Sequence, residues 1–510
     1  MSAAVVPSGR RIAGGARRGG GWLCALLAVF ARGAEPAAPA PAYELTPYAL
    51  PTESKFEVSG IALLPDGRAA LTLRKGEIWI LENPLEDPAR ARFRRFATGL
   101  HEPLGLTWRD GALYTAQRSE VTRIADRDGD GVADLYETAA KGWGLSGNYH
   151  EYAYGPVFDR EGNLWVTLNV TIGAPAKIEG HRPAGPLWRG WAMRQAPGGE
   201  LRPVAAGFRS PFGLGINLAG DVFATDQQGN WWGTCPLIHV QPGRFYGHAD
   251  SIPDTRRPES PVRDPGPLPA GLTVVEAAER IPGFALPAVW FPYAKMGQST
   301  TGIVCDTTGG AFGPFAGQLF VGDFTLAQVN RVFLEKVEGE YQGACFPFRD
   351  QLQSAVLQMA FLRDGSMIVG ESNRGWNSLG SRSFGLERIR WTGVVPFELE
   401  RMEATPDGFR LTFTEPLAAG APPGPALFTL SSYTYLYRQN YGSPETGTRP
   451  VPVEDVVLSA DRRSVTLRCG GLRPGHVHEL VLGALRSASG QALRHDRAYY
   501  TLNRIPGRGR

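Results

Sequence analysis

The stretch GPVFDREGNLWVTL (residues 155–168) decides the fold. It opens with glycine and a short apolar strand, turns at an acidic segment with a second glycine, and ends in another apolar strand. Related stretches are GIALLPDGRAALTL (60–73), GLTWRDGALYTAQ (105–117), GLGINLAGDVFATD (213–226), GIVCDTTGGAFGPFAGQLFVGD (302–323) and MAFLRDGSMIVGE (359–371). A unit that recurs every 45–58 residues, with one longer interval, predicts β-propeller blades of four short strands each.

Six copies predict six blades, arranged so that ring closure removes the exposed sheet edges. The starts of the units are separated by 45, 50, 58, 89 and 57 residues, and the 89-residue interval predicts an insertion at residues 249–287. The alternative, a set of unrelated hairpins, does not account for six aligned glycine turns. The composition agrees, since 64 Gly and 41 Pro among 510 residues are typical of short strands and tight turns.

The N-terminal residues 1–33 are similar to an export signal. Four arginines precede a short apolar run at residues 22–30, and small residues follow. We expect a periplasmic or extracellular protein with no membrane span after signal cleavage; a disordered tail or an uncleaved anchor is the alternative. Without this segment 48 basic side chains face 50 acidic ones, and no basic stripe predicts nucleic-acid binding. Residues 34–42 are predicted to be a Pro/Ala linker.

The pattern changes after Trp391, where short stretches of alternating apolar and polar residues begin. This pattern predicts an immunoglobulin-like β-sandwich over residues 394–510, following a propeller over residues 43–393. The predicted fold class is therefore all-β. Four cysteines lie outside the signal and form no CxxC pair; Cys305 and Cys345 are the candidate disulfide, with buried free thiols as the alternative.

Polar residues gather at two positions of the repeat that open on the same mouth of a propeller channel. Those before the first strands are His101, Glu102, His150, Glu151, Arg209, Lys295 and Gln298. Those at the ends of the second strands are Gln117, Asp226, Asp323 and Glu371. Bases, acids and cations at one mouth predict a polar ligand site, although channel mouths are wet and polar in any case.

A second motif, DRDGDGVADLYE (residues 126–137), fits the pattern of a calcium loop over all twelve positions. Its carboxylates and one carbonyl supply the oxygen ligands that Ca²⁺ prefers, and a glycine permits the sharp turn. The predicted ligands are Asp126, Asp128, Asp130, the carbonyl of Val132, Asp134 and Glu137. We expect a structural Ca²⁺ between the third and fourth strands of blade two, on the face opposite His150. The alternative is an acidic hairpin without metal.

Three stretches resemble the glucose/sorbosone dehydrogenase family: NYHEYAYGPVFDREGNLWVTLN (148–169), GFRSPFGL (207–214) and CPLIHVQPGRFYGH (235–248). The resemblance implies an exported six-bladed propeller that uses pyrroloquinoline quinone. His150 stands where the family has the general base that accepts the sugar hydroxyl proton. Arg209 matches the arginine that contacts the quinone.

The resemblance also implies further cofactor-binding candidates. Asp226 begins a loop that keeps part of the polarity of the corresponding family loop. The family's arginine pair near blade six is missing, so Lys295 or Arg374 is the candidate replacement. Gln298, close to Lys295 in the sequence, is a further cofactor-binding candidate.

Three functions remain open on the sequence alone. The first is an exported dehydrogenase that oxidises a polyol or aldose with quinone as hydride acceptor and passes electrons to a separate acceptor. The second is a non-catalytic propeller that binds carbohydrate or a protein. The third is a Ca²⁺-dependent lactonase-type hydrolase, with a channel metal held by Glu102, Asp226, Asp323 or Glu371. Fold alone decides none of them.

Overall fold

The computed structural model describes residues 41–172, 187–269 and 271–507. The predicted signal peptide and all but the end of the predicted linker lie outside the described residues. Within these ranges strands predominate, and none of the few helices has the length and apolar character needed to cross a bilayer.

Six four-stranded antiparallel units follow one another along the chain, and we call them blades one to six. Blade one contains β2 (Val58–Leu63), β3 (Ala69–Leu73), β4 (Glu77–Leu81) and β5 (Phe93–Ala97). Blade two contains β6 (Thr107–Arg109), β7 (Ala112–Ala116), β8 (Glu120–Ala125) and β9 (Leu135–Lys141). Blade three contains β10 (Ala153–Phe158), β11 (Leu164–Leu168), β12 (Trp191–Gln195) and β13 (Leu201–Ala206).

The second half of the repeat is built in the same way. Blade four contains β14 (Gly213–Ile216), β15 (Val222–Thr225), β16 (Cys235–His239) and β18 (Val289–Phe291). Blade five contains β19 (Thr300–Cys305), β20 (Leu319–Asp323), β21 (Gln328–Val337) and β22 (Glu340–Arg349). Blade six contains β23 (Val356–Phe361), β24 (Met367–Ser372), β25 (Phe384–Trp391) and, from the start of the chain, β1 (Tyr43–Pro47).

The first strands of consecutive blades contact one another in order, and β23 of blade six contacts β2 of blade one. Second strands such as β3 and β11 are buried along their whole length, because each lies between two neighbouring blades. Five of the six repeats open with a glycine, which permits this approach. A Cβ at Gly60 would lie 2.5 Å from the backbone of Gly105, and a Cβ at Gly105 would lie 2.5 Å from the backbone of Gly155. The all-β class and the order of the six predicted units are confirmed.

The C-terminal region forms two further antiparallel layers around one apolar core that includes Phe409, Leu411 and Leu480. One layer contains β26 (Leu399–Thr405), β27 (Gly408–Phe413), β32 (Ser464–Cys469) and β31 (Val453–Leu458). The other contains β34 (Arg497–Leu502), β33 (His476–Leu482), β28 (Phe428–Thr434) and β30 (Thr446–Pro450). Strand β34 pairs with β22, so this second layer continues the sheet of blade five. The immunoglobulin-like topology and the boundary at residue 393 stay predictions.

The predicted insertion lies between the third and fourth strands of blade four. It contains a 3₁₀ helix (Ala249–Arg256), β17 (Leu272–Thr273) and α1 (Val274–Arg280), whose N-terminus has a capping box formed by Thr273 and Glu276. Strand β17 pairs with β29 (Leu436–Tyr437) of the C-terminal region. Two short 3₁₀ turns, Pro88–Arg90 and Pro425–Leu427, complete the described elements.

The four described cysteines are free thiols, and all are buried. The candidate disulfide between Cys305 and Cys345 is therefore not formed. Cys345 lies in blade five with its Sγ 3.6 Å from the carbonyl oxygen of Trp290, and burial raises its thiol pKa. These thiols behave as small core residues.

Candidate functional site

The acids at the ends of the second strands anchor the segments that enter the first strands. Asp226 Oδ2 and Oδ1 accept hydrogen bonds from the main-chain N–H groups of Arg209 and Ser210, at 2.7 and 2.6 Å. Asp323 Oδ2 accepts from the N–H of Gln298 at 2.8 Å, and Glu371 Oε2 from that of Ser354 at 2.8 Å. These contacts bring together the two predicted positions of the repeat within one blade.

Gln117 plays the corresponding part in blade two, where its Oε1 accepts a hydrogen bond from the main-chain N–H of His101. The His101 side chain is exposed. Glu151 is fully buried and accepts hydrogen bonds from Ser146 and Thr171, which lower its carboxyl pKa against the effect of burial. Gln117 and Glu151 therefore stabilise the loops that enter the first strands.

Glu102 is the centre of a charged cluster contributed by several blades. Its Oε1 lies 3.2 Å from Arg74 Nη1 and its Oε2 accepts from Arg118 Nε at 2.6 Å. Arg374 Nη2 lies 3.9 Å from Oε1. Burial raises the pKa of Glu102, but the neighbouring guanidinium groups outweigh it and lower the pKa overall. Arg74 also forms an ion pair with Glu57. The cluster therefore contains three guanidinium groups and two carboxylates, and it keeps an excess of positive charge.

Arg374 has unused hydrogen-bonding capacity. Only 7% of its side chain is exposed, yet Nε and Nη2 have no hydrogen-bond partner among the described residues. Its guanidinium lies over the ring of Tyr152, with Cζ 4.5 Å from the ring centroid. The backbone of Arg374 adopts a φ of 51° and that of Glu102 a φ of 46°, a strained region for residues with a side chain. Buried donors without partners point to an anionic ligand.

His150 is half-buried next to this cluster. Its main-chain N–H donates to Asn148 Oδ1 at 2.9 Å, and the Asn148 amide donates to the Ile172 carbonyl at 3.1 Å, which fixes the turn before β10. Burial lowers the pKa of His150, and the charges of Arg209 and Arg374 lower it further. The imidazole is therefore neutral at neutral pH and can accept a proton.

Exposed aromatic rings surround His150. The Tyr149 ring lies 5.3 Å from the imidazole, and the Trp376 ring lies 6.0 Å from it. Tyr149 and Trp376 stack on one another at 6.5 Å between centroids, and 52% of Trp376 is exposed. Such rings present flat apolar surfaces beside polar groups.

Arg209 is buried at the start of blade four. Its Nε has no hydrogen-bond partner among the described residues, and a Cβ at position 229 would overlap its side chain, so Gly229 permits the close packing. Its Cζ lies 5.3 Å from the centroid of the Tyr441 ring, which belongs to the C-terminal region. The pKa of Asp226 is raised to about 6, chiefly by burial and against the three main-chain N–H groups that bond it.

Lys295 and Gln298 are placed differently from Arg209. Lys295 Nζ lies 2.7 Å from both Glu445 and Glu479 of the C-terminal region, so its charge is neutralised there. Gln298 donates its main-chain N–H to Asp323. Lys295 is not among the cations that lower the pKa of His150, which are Arg209, Arg374 and Arg118. Arg374 is the second cation that the structure brings to the histidine.

Part of the chain matches a described protein family. A family model described as a domain of unknown function (DUF7133) matches residues 61–260. No curated protein matches the chain.

Several solved structures are similar to the chain over about two thirds of its length. The PQQ-bound form of an aldose sugar dehydrogenase from Streptomyces coelicolor is 15% identical, with 69% of this chain and 99% of that chain covered and a TM-score of 0.46. The apo form of the soluble aldose sugar dehydrogenase from Escherichia coli is 15% identical, with 68% and 99% covered and a TM-score of 0.46. The holo PQQ domain of pyranose dehydrogenase from Coprinopsis cinerea is 11% identical, with 70% and 99% covered and a TM-score of 0.46. The printed names of all three describe dehydrogenases.

The predicted calcium loop joins β8 to β9, as the motif indicated. Carboxylate oxygens of Asp126, Asp128 and Asp130 lie within 4.8 Å of one another, the one such group of three found among the described residues. Asp134 pairs with Arg127 at 3.3 Å and Glu137 with Arg123 at 2.8 Å. The predicted ligands therefore form a compact triad and two arginine-paired acids.

The loop's Val132 is 51% exposed, with its main-chain N–H bonded to Asp130 Oδ1 at 2.7 Å. The loop lies beside Leu64 and Gly111, at the turns between first and second strands, and so at the ends of the blades away from Gln117. A structural Ca²⁺ in this loop stays a prediction.

The sequence reasoning missed three parts of the site. It did not find the network of Arg74, Arg118 and Glu102, which comes from two different blades. It also did not find the Tyr149–Trp376 pair beside His150, or Tyr441, which comes from the C-terminal region. A signal for the first was available, because Arg74 and Arg118 follow second strands just as Asp226 does. For Tyr441 no repeat position exists that could have marked it.

Proposed function

We propose that this protein is an exported dehydrogenase that oxidises a polyol or aldose with a quinone as hydride acceptor. The observation that carries the proposal is a neutral, half-buried His150 close to two buried arginines with unused N–H donors, Arg209 and Arg374. A neutral imidazole can accept a hydroxyl proton, and the guanidinium groups can hold a carboxylated cofactor beside it.

The side chains at the mouth fit pyrroloquinoline quinone as the cofactor. Its carboxylates would take up the free donors of Arg374, which otherwise stay buried and unpaired, and would bind the Nη groups of Arg209, whose Nε is covered by Gly229. Arg374 thereby replaces the missing arginine pair, whereas Lys295 is held by Glu445 and Glu479. When bound, the quinone would accept the hydride from the carbon that carries the substrate hydroxyl.

The residues of the chain would supply proton transfer, position and charge. His150 would take the hydroxyl proton, and its lowered pKa keeps it ready at neutral pH. The exposed rings of Tyr149 and Trp376 would pack on the C–H face of the sugar ring. Electrons would then leave to a separate acceptor, and residues 1–33 would direct export.

Quinone binding is the first test. The full chain is titrated with pyrroloquinoline quinone while tryptophan fluorescence is followed in the wild type, in Arg209→Ala and in Arg374→Ala. The exposed Arg202→Ala in blade three serves as the matched control. We expect saturable quenching that both buried-arginine variants weaken at least tenfold and the control does not. No saturation in the wild type at tens of micromolar would refute the proposal.

Activity is the second test. A sugar panel with a dye as electron acceptor is run with wild type, His150→Gln and the control His476→Gln. Removal of a general base costs about 10²–10⁴-fold in kcat, so we expect that loss only at His150. Equal turnover in the wild type and His150→Gln would remove the histidine from the mechanism.

A second candidate is a carbohydrate-binding propeller without catalysis, favoured by the exposed Tyr149–Trp376 pair. It predicts that sugars bind without quinone and that Trp376→Ala abolishes this binding.

The hydrolase candidate has less support, because the carboxylate oxygens of Asp226 and Asp323 accept hydrogen bonds from main-chain N–H groups and those of Glu102 contact arginines. Such donors compete with a cation for the same oxygens.

A further inference from the structure

A loop of the C-terminal region lies on the loop that joins the second and third strands of blade four. We call residues 436–443 the Tyr441 loop and residues 228–234 the blade-four loop. Their hydrogen bonds run from Trp231 N to Arg438 O (2.9 Å), from Gly442 N to Gly229 O (2.9 Å), from Ser443 N to Gly233 O (3.0 Å) and from Asn230 Nδ2 to Gln439 O (2.7 Å). The two loops therefore form one hydrogen-bonded unit.

The Tyr441 loop is supported from its other side by the insertion of blade four. The first two residues of the Tyr441 loop form β29, which pairs with β17 of that insertion. Tyr437 packs its ring 5.0 Å from Trp231 and 5.4 Å from Phe284, and its hydroxyl donates to the Gly247 carbonyl at 2.5 Å. A loop fixed on two sides can hold a side chain in a defined position.

The side chain held in this way is Tyr441. Its ring lies over the buried guanidinium of Arg209, 5.3 Å from Cζ, while 63% of the residue stays exposed. Gly229, bonded to Gly442 of the Tyr441 loop, closes the space on the Nε side of Arg209. Arg209 is thus packed between two loops, one from blade four and one from the C-terminal region.

We propose that Tyr441 is a positioning residue of the candidate site: it holds and covers the guanidinium of Arg209, and it offers its exposed ring to a flat carboxylated ligand bound there. The C-terminal region is then an integral part of the site. The identity of the ligand rests on the proposed function, whereas the cover over Arg209 does not.

The test uses the full chain as wild type, Tyr441→Ala and Tyr441→Phe. Tyr136→Ala in β9 is the matched control, because Tyr136 is also an exposed tyrosine, at 45%. Far-ultraviolet circular dichroism first checks that each variant is folded. Phenylglyoxal then modifies accessible arginines, and mass spectrometry follows the rate at Arg209 alone. We expect Tyr441→Ala to raise this rate at least threefold, with Tyr441→Phe and the control unchanged.

The second readout is the dissociation constant of pyrroloquinoline quinone in the same variants. We expect Tyr441→Ala to weaken it about 2- to 30-fold, the range that a cation–π contact supplies, and Tyr441→Phe to keep it within twofold. An unchanged modification rate at Arg209 in Tyr441→Ala would overturn the positioning role. Faster modification with no quinone binding in the wild type would retain that role and reject the proposed function instead.

Discussion

Replacement of Asp226 by asparagine should change how the stability of the protein depends on pH. Burial raises the pKa of this carboxyl from its usual 3.8 to about 6 in the folded state. Two pKa units correspond to about 3 kcal/mol. The pKa of Asp226 is higher in the folded state than in the unfolded state. The carboxyl therefore contributes its full stabilisation to the folded state below about pH 4, and this contribution is lost as the pH rises through 6. Asparagine cannot ionise, so the difference in unfolding free energy between wild type and Asp226→Asn should fall by about 3 kcal/mol from pH 4 to pH 7.

Urea denaturation followed by circular dichroism at four pH values between 4 and 7.5 measures this difference. Asp110→Asn, at an exposed turn, is the control and should give a flat difference. Asp226→Asn directs an amide NH₂ group at the main-chain N–H of Arg209 or Ser210, where the wild type has an accepting oxygen. This substitution should therefore also displace Arg209 and weaken quinone binding. A wild-type minus Asp226→Asn difference that stays constant within about 0.5 kcal/mol would refute the buried-carboxyl reasoning, since the expected change is several times larger.

Three further predictions concern the rest of the chain. Calcium should raise the melting temperature of the wild type in a thermal scan but not that of Asp130→Ala, because a ligand of the folded loop alone stabilises it; equal shifts would exclude the loop. Burial lowers the pKa of His248 and of His478 to about 3, so below pH 6.5 these residues bind protons in the unfolded state but not in the folded state. Each should therefore lower the free energy of unfolding by up to about 1.4 kcal/mol per pH unit as the pH falls from 6.5 towards 3. In urea titrations, His478→Gln should reduce this slope. The four described thiols should react with a thiol reagent only after unfolding, since burial raises the pKa of each; rapid labelling of the native protein would contradict their burial.

The repeat could be found from the sequence because its signal is local and periodic. Each unit places a glycine and two apolar strands within 13 to 22 residues. At Gly60 and Gly105 the glycine is required, because the backbones of neighbouring blades approach too closely there for a Cβ. The positions before the first strands and after the second strands follow from this period, which is why the sequence could pair the segment of Arg209 with Asp226.

The rest could not be predicted because it depends on contacts between distant parts of the chain. The outer strand of blade six is β1, which pairs Tyr43 with Trp391 and carries no repeat signal. Lys295 has the charge expected of a cofactor ligand, yet Glu445 and Glu479 take it up. Whether a charged side chain is free or paired is decided by its partners in space, and a single sequence does not show them.

The pairing of β1 with β25 also sets the order in which the protein can be completed. Strand Tyr43–Pro47 is synthesised early and its partner Phe384–Trp391 late. At typical translation rates the interval is on the order of 20–70 s. During that time β1 lacks its partner strand, and a polypeptide that stops short of Phe384 has no site at which β1 can pair. Completion of blade six therefore requires that translation has passed the whole repeat, so a truncated chain keeps an unpaired N-terminal strand.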